Sequence, residues 1–113
     1  MEHAKEFFDK FKADAEAMKT QLPDMIAGFS GLFGKIMKDG ALTVKEKELI
    51  TVGIAVALRC EPCIRLHTQK CLASGATRQQ ILEAASVAVM MQGGPAYTHV
   101  PAVIKALDEL EAK

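Results

Sequence analysis

The sequence contains no tryptophan and a single tyrosine among its 113 residues. Nucleic-acid bases stack on aromatic side chains, so a chain this poor in tryptophan and tyrosine offers little to stack on. Net charge is equally absent, because 14 Lys and Arg residues balance 14 Asp and Glu residues. Without a basic excess there is no electrostatic attraction to nucleic acid or to an anionic membrane surface. We therefore expect no nucleic acid and no membrane as partner.

Long hydrophobic runs are also missing. The longest, residues 49–58, has about half of the roughly 20 residues that a membrane-spanning helix needs. Residues 1–11 alternate charge with phenylalanine and lack the uninterrupted apolar run of a signal peptide. We expect a soluble, cytoplasmic protein, in which paired cysteines serve catalysis or metal binding more often than structure.

No segment alternates with the period of a β-strand, whereas apolar residues recur at three- and four-residue spacing throughout. This spacing predicts about six helices, over residues 4–21, 24–38, 43–58, 62–74, 77–91 and 96–110. Thr43-x-x-Glu46 and Thr77-x-x-Gln80 have the form of capping boxes, which open helices. Pro101 is expected to kink the last helix. We predict an all-α fold.

The length of the chain suits a single domain over residues 1–113. Residues 1–40 are expected to form a pair of amphipathic helices, and residues 41–113 a core rich in Ala, Val and Met. Forty residues would bury too little surface to fold alone, so this boundary is interpreted as internal to the domain. Residues 50–58 are apolar on every side of their predicted helix, which predicts burial against another subunit.

The densest chemistry lies in residues 60–67, which read Cys-Glu-Pro-Cys-Ile-Arg-Leu-His. Cys60 and Cys63 are helix neighbours, whose Cα atoms are roughly 5–6 Å apart and within disulfide range. Pro62 suits a first helical turn, where unpaired backbone N–H groups favour a thiolate and lower its pKa. His67 follows Cys63 by one helical turn and can accept the thiol proton.

Metal binding is the competing interpretation, because Cys60, Cys63 and His67 could join a carboxylate in a four-ligand zinc site. Common structural zinc sites have a second ligand pair downstream, and Cys71 and His99 do not form one. Cys71 lies about 12 Å from Cys63 along the helix, too far to bridge it, and is interpreted as buried packing. His99 and the neighbouring tyrosine follow a Gly-Gly-Pro break and could line a pocket, but His99 is interpreted as an exposed histidine.

The sequence around this octet resembles the carboxymuconolactone decarboxylase family, in its alkylhydroperoxidase-D-like branch. The resemblance covers residues 43–97: Glu48 within KEKELI, the octet CEPCIRLH, then ASGAT and GGPA. It implies an all-helical, single-repeat fold assembled into a homo-oligomer, a hexamer or a trimer. It also implies that Cys60 and Cys63 cycle between dithiol and disulfide, with Glu48 and His67 as a proton relay.

The resemblance further implies an alkylhydroperoxidase-like enzyme that acts on a peroxide or disulfide. An external dithiol or a thioredoxin-like protein would be its reductant, and no cofactor or bound metal is expected. Which cysteine attacks is open, since exposure at the helix end favours Cys60 and the nearby base favours Cys63. The alternatives are a metal-binding protein and a family member without redox activity.

Two departures from the family pattern affect the cysteine pair. The best-known member has two helical repeats and a histidine between its cysteines, where this chain has Glu61 and Pro62. The charge of Glu61 is expected to oppose thiolate formation at Cys60. The branch that names the family lacks the cysteine pair, so lactone decarboxylation is not expected.

Overall fold

The chain folds into helices joined by short turns in this computed structural model, which describes the backbone of residues 2–112 and the side chains of residues 5–112. The helices are α1 (Glu2–Gln21), α2 (Pro23–Ile36), α3 (Val44–Leu58), α4 (Glu61–Ala73), α5 (Arg78–Gln92), α6 (Gly94–Tyr97) and α7 (Val100–Glu111). Residues 2–112 contain no β-strand. The predicted all-α fold is confirmed.

The chain divides between Lys38 and Asp39 into two compact units. The first unit holds α1 and α2, and Pro23 begins α2, where its missing N–H costs no helical hydrogen bond. No residue of α2 is buried, and the ring of Phe29 is largely exposed. The division falls near the predicted internal boundary at residue 40, while the single domain stays a prediction.

The second unit contains α3 to α7 around one hydrophobic core. Helix α3 packs against α4 and α5, and α7 packs against the same two helices. A Cβ atom on Gly53 would lie 3.2 Å from the Ala84 carbonyl oxygen, so the glycine permits close approach of α3 and α5. The largest fully buried apolar side chains are Ile64, Ile81, Leu107, Val52, Val56 and Val103.

Both predicted capping boxes are present. The Thr43 hydroxyl accepts the backbone N–H of Glu46, and the Glu46 carboxylate accepts the N–H of Thr43 in return. Thr77 and Gln80 form the same reciprocal pair at the start of α5. Each pair satisfies two backbone donors that a helix start would otherwise leave unpaired, so α3 and α5 begin where the sequence predicts.

The last predicted helix is in fact two helices, and the predicted kink at Pro101 is wrong. Helix α6 ends at Tyr97, and α7 begins at Val100 with Pro101 in its first turn. In an uninterrupted helix the Pro101 ring would clash with the carbonyl of Tyr97 and remove one hydrogen bond. Ending one helix and starting another avoids both costs.

The apolar second half of α3 is buried on one side only. Val52, Ala55 and Val56 lie in the core, whereas Ile54 is 53% exposed and Leu58 is 67% exposed. The expected burial against another subunit stays a prediction. Among the helices described, none has the length and apolarity needed to cross a membrane.

Candidate thiol site

The turn between α3 and α4 holds the backbone of Cys60 from both sides. The N–H of Cys60 donates to the Ala55 carbonyl oxygen at 3.1 Å, and the N–H of Arg59 donates to Val56 at 3.0 Å. These two bonds form a Schellman motif with Arg59 in the left-handed conformation (φ 56°, ψ 40°). The Cys60 carbonyl then accepts the N–H of Ile64 at 2.9 Å, which begins α4. Cys60 therefore belongs both to the C-terminal motif of α3 and, as the N-cap residue, to the start of α4.

Cys60 and Cys63 are free thiols three residues apart, and both belong to the start of α4. Both are partly buried, with Cys60 at the N-cap of α4 and Cys63 in its first turn, as predicted. Hydrogen bonding to Cys60, then burial, then the negative charge of a Cys60 thiolate raise the pKa of Cys63 from 9.0 to about 11. The expectation that the helix start lowers the pKa is therefore wrong for Cys63. Its own backbone N–H does lower the pKa, but by less than these causes raise it.

Glu48 and His67 meet across 19 residues of sequence. The Nδ1 atom of His67 lies 2.8 Å from the Oε1 atom of Glu48, and the two side chains are 19% and 4% exposed. A carboxylate only accepts hydrogen bonds, so this contact assigns a proton to Nδ1. The pairing that the family resemblance implied is present in the structure.

Thr51 is a member of the site that the sequence analysis missed. Its hydroxyl donates to the Glu48 carbonyl oxygen at 2.6 Å and lies 3.1 Å from Oε1 of the Glu48 carboxylate. Thr51 is one turn after Glu48 on α3, and that spacing could have pointed to the contact.

Cys71 is fully buried, which confirms its interpretation as packing. Burial, followed by the negative charge of Glu48, raises the pKa of Cys71 to about 12. The Glu48 carboxylate therefore both contacts His67 and raises the pKa of Cys71. At neutral pH, Cys71 keeps its proton and is a poor nucleophile.

The metal-binding alternative finds no geometric support. Within the part of the chain that the structure describes, no group of three or more His, Cys, Asp or Glu side chains is placed to hold a metal ion. The Glu48 carboxylate already accepts a hydrogen bond from His67, and the two free cysteines lie at the start of α4. The predicted residues are therefore arranged as two pairs.

The residues after the Gly-Gly-Pro break have local roles. The Nδ1 atom of His99 lies 2.8 Å from the Pro95 carbonyl oxygen, which ties the ring to the start of α6. Tyr97 is 69% exposed and helps to line an open pocket to which Val89 and Pro101 contribute. None of the four predicted catalytic residues lines that pocket.

A largely buried salt bridge joins α4 to α7. The Arg65 guanidinium donates to the Glu109 carboxylate, and both side chains are mostly shielded from water. The two residues are 44 positions apart, so no local spacing rule could have predicted the pair. It anchors the helix that carries Cys63 and His67.

In residues 2–112 the fold is helical, with a Cys-x-x-Cys pair at the start of α4 and a Glu–His pair that joins α3 to α4. The sequence model of the carboxymuconolactone decarboxylase family matches residues 23–106. The chain belongs to the carboxymuconolactone decarboxylase family, which confirms the resemblance found in the sequence.

Two bacterial proteins are similar to this chain over most of its length. It is 33% identical over 90 residues to an uncharacterized protein of Cupriavidus necator, covering 80% of each. It is 39% identical over 83 residues to uncharacterized protein 4 in the cox locus of Paracoccus denitrificans, covering 74% of this chain and 75% of that one.

Two solved structures share the fold. One is an apo carboxymuconolactone decarboxylase family protein from Legionella pneumophila, with a TM-score of 0.93 and 32% identity over 99% of this chain and all of that one. The other is a family protein from Thermotoga maritima for which involvement in an antioxidative response has been suggested. Its TM-score is 0.80, at 28% identity over 93% of this chain and 89% of that one.

Proposed function

We propose that this protein is a thiol oxidoreductase that reduces a peroxide or a disulfide through a Cys60–Cys63 dithiol/disulfide cycle. The observation that carries the proposal is the placement of two free thiols three residues apart, at the N-cap and in the first turn of α4. Thiols at this spacing on a helix lie within the range that a disulfide tolerates. The suggested antioxidative role of the Thermotoga maritima relative agrees with this chemistry.

Cys60 is the attacking residue in this proposal and Cys63 the resolving one. Because its pKa is raised, Cys63 keeps its proton and can donate a hydrogen bond to a Cys60 thiolate. A thiolate, not a thiol, is the nucleophile in exchange and peroxide reduction. Both cysteines are partly buried, so the raised pKa of Cys63 decides the choice in favour of Cys60.

With a peroxide as substrate, the cycle consists of attack, resolution and reduction. The Cys60 thiolate attacks one peroxide oxygen, breaks the O–O bond and becomes a sulfenic acid, and the alkoxide leaves as an alcohol after protonation. The sulfur of Cys63 then attacks the Cys60 sulfur, forms the disulfide and releases water. An external dithiol, such as a thioredoxin-like protein in the cytoplasm, returns both thiols to the reduced state.

His67 and Glu48 move the protons of this cycle. With Nδ1–H donating to Glu48, the Nε2 atom of His67 accepts the proton that Cys63 loses when it resolves the intermediate. The Glu48 carboxylate then stabilises the imidazolium that forms. The chemistry requires no metal or cofactor.

We also propose that the protein self-associates through the exposed apolar sides of α3 and α5. Ile50 and Ile54 of α3 and Val87 and Met91 of α5 line one surface groove. All four side chains are about half exposed or more, and Met91 is 85% exposed. Contiguous apolar surface of this kind marks interaction sites, and a second copy of the chain offers the same surface.

Thiol counting in a set of variants tests the proposed reaction. Mild peroxide should remove two thiols per chain from the wild type, with mass spectrometry locating the new bond between Cys60 and Cys63. A Cys60→Ser, Cys63→Ser variant should lose peroxide and disulfide reduction, whereas Cys71→Ala should keep it. A double variant as active as the wild type would contradict the proposal, and unchanged thiols would indicate a family member without redox activity.

A further inference from the structure

Arg59 has a backbone conformation that is costly for its residue type. It is the one non-glycine residue with positive φ in the described part of the chain, where Gly75 and Gly93 also have positive φ. Glycine is the usual residue at this position of a Schellman motif, because a Cβ atom crowds the backbone there. The turn that holds Cys60 would form more readily with glycine at position 59.

No contact made by the Arg59 side chain offsets this cost. The side chain is exposed and forms no ion pair with any side chain that the structure describes. Arg65 and Arg78 differ, since Arg65 binds Glu109 and Arg78 bridges two carboxylates of α7. The guanidinium of Arg59 therefore remains available to a molecule that approaches the site.

Arg59 is the neighbour of the reacting Cys60 along the chain. It precedes Cys60 directly, and the hydrogen bonds of the turn fix both backbones. The exposed Glu61 lies on the other side of Cys60, at the first position of α4. The attacking thiol thus stands between one positive and one negative exposed side chain.

We propose that Arg59 binds a carboxylate on the substrate and selects disulfides that carry negative charge near the sulfur–sulfur bond. The inference rests on the proposed thiol chemistry and names the substrate class for it. Arginine holds carboxylates through paired N–H donors in a fixed planar arrangement, so it provides orientation as well as attraction. Glu61 opposes the same substrates and favours cationic ones.

The exchange proceeds in two balanced steps. The Cys60 thiolate attacks one sulfur of the bound disulfide, forms a mixed disulfide and releases the first substrate thiolate. Cys63 then attacks the Cys60 sulfur, its proton passes to His67, and the second substrate thiolate leaves. The protein loses two electrons and the substrate gains them.

The test uses three small disulfides that are similar in size and differ in charge: anionic dithiodipropionate, neutral hydroxyethyl disulfide and cationic cystamine. The rate constant for oxidation of the reduced protein is measured with each, at low and high ionic strength. In Arg59→Gln the anionic-to-neutral rate ratio should fall roughly fivefold, the effect of one unit charge at about 4 Å in water. Arg59→Lys should keep most of the ratio, and Glu61→Gln should raise it.

The variant Arg59→Gly distinguishes an effect on substrate selectivity from an effect on stability. It relieves the left-handed backbone, so its melting temperature should rise while its anionic-to-neutral ratio falls as in Arg59→Gln. In the wild type, added salt should lower the ratio, because screening weakens the attraction.

The outcomes distinguish this inference from the proposed function. A ratio that stays constant in both Arg59→Gln and Arg59→Gly overturns the role of Arg59 while leaving the thiol chemistry intact. An equal loss for all three disulfides also overturns it, since charge selection would then be absent. A wild type that none of the three disulfides oxidises overturns the role of Arg59, and a wild type that mild peroxide also leaves reduced overturns the thiol chemistry as well.

Discussion

The Nδ1 atom of His67 on α4 lies 2.8 Å from the carboxylate oxygen Oε1 of Glu48 on α3. Each residue belongs to a different helix, and the pair exists because α3 and α4 pack against each other in the second unit. The Thr51 hydroxyl, which donates its proton to the Glu48 backbone carbonyl, lies 3.1 Å from the same carboxylate oxygen. The histidine is therefore oriented by a buried carboxylate, as in other sites where a base must present one chosen nitrogen.

Glu48→Gln should slow peroxide reduction on the order of 100-fold, the lower end of what acid–base catalysis supplies. The amide can still accept the Nδ1–H, but it carries no charge to stabilise the imidazolium. Glu46→Gln is the matched control, because it makes the same change on the same helix at an exposed position and glutamine can still complete the capping box. Steady-state kinetics and melting temperatures are measured for both. Equal activity of the two variants would argue against the relay.

Brief alkylation of the reduced protein should modify Cys60 before Cys63 and leave Cys71 protected. A raised pKa means less thiolate at a given pH, so Cys63 should react only as the pH approaches about 11. In Cys60→Ser, Cys63 should react faster at pH 9 than in the wild type, because the thiolate at Cys60 contributes two of the causes that raise its pKa. Peptide mass spectrometry across a pH series measures all three sites. Modification of Cys63 first would reverse the assigned roles.

Glu109→Gln should lower the free energy of unfolding by about 3 kcal/mol, because it removes the negative charge to which the mostly buried Arg65 guanidinium donates. Asp108→Asn is the control on the neighbouring residue, since Asp108 pairs with Arg78 at the surface. Its effect should be distinctly smaller, because water screens and solvates an exposed pair. Urea unfolding of both variants checks the difference, and equal effects would show that burial does not decide the strength of the Arg65 pair.

Ile54→Glu should shift the protein from an oligomer towards the monomer. A carboxylate in the apolar groove of α3 and α5 would lose its hydration without gaining a partner. Ile104→Glu on α7 is the control, because Ile104 is also partly exposed and lies outside that groove. Sedimentation velocity at micromolar concentration measures the mass. A wild type that sediments as a monomer would contradict the proposed self-association.

The local features of the sequence predicted much of the fold. Thr43 and Thr77 opened helices as expected, because a capping box is made by residues three positions apart and depends little on the rest of the chain. The start of α4 at the cysteine pair was predictable for the same reason. The break between α6 and α7 was missed, since a proline can kink a helix or begin a new one and the choice depends on packing.

The sequence by itself determined the first five helices, the position of Cys60 at a helix start and the spacing of Cys63 and His67 along one helix. These are consequences of neighbouring residues and of the helical period. Only the tertiary structure decided that Glu48 reaches His67 and that Arg65 pairs with Glu109. Those properties depend on distances between helices and on the water removed by packing, which no spacing along the chain encodes.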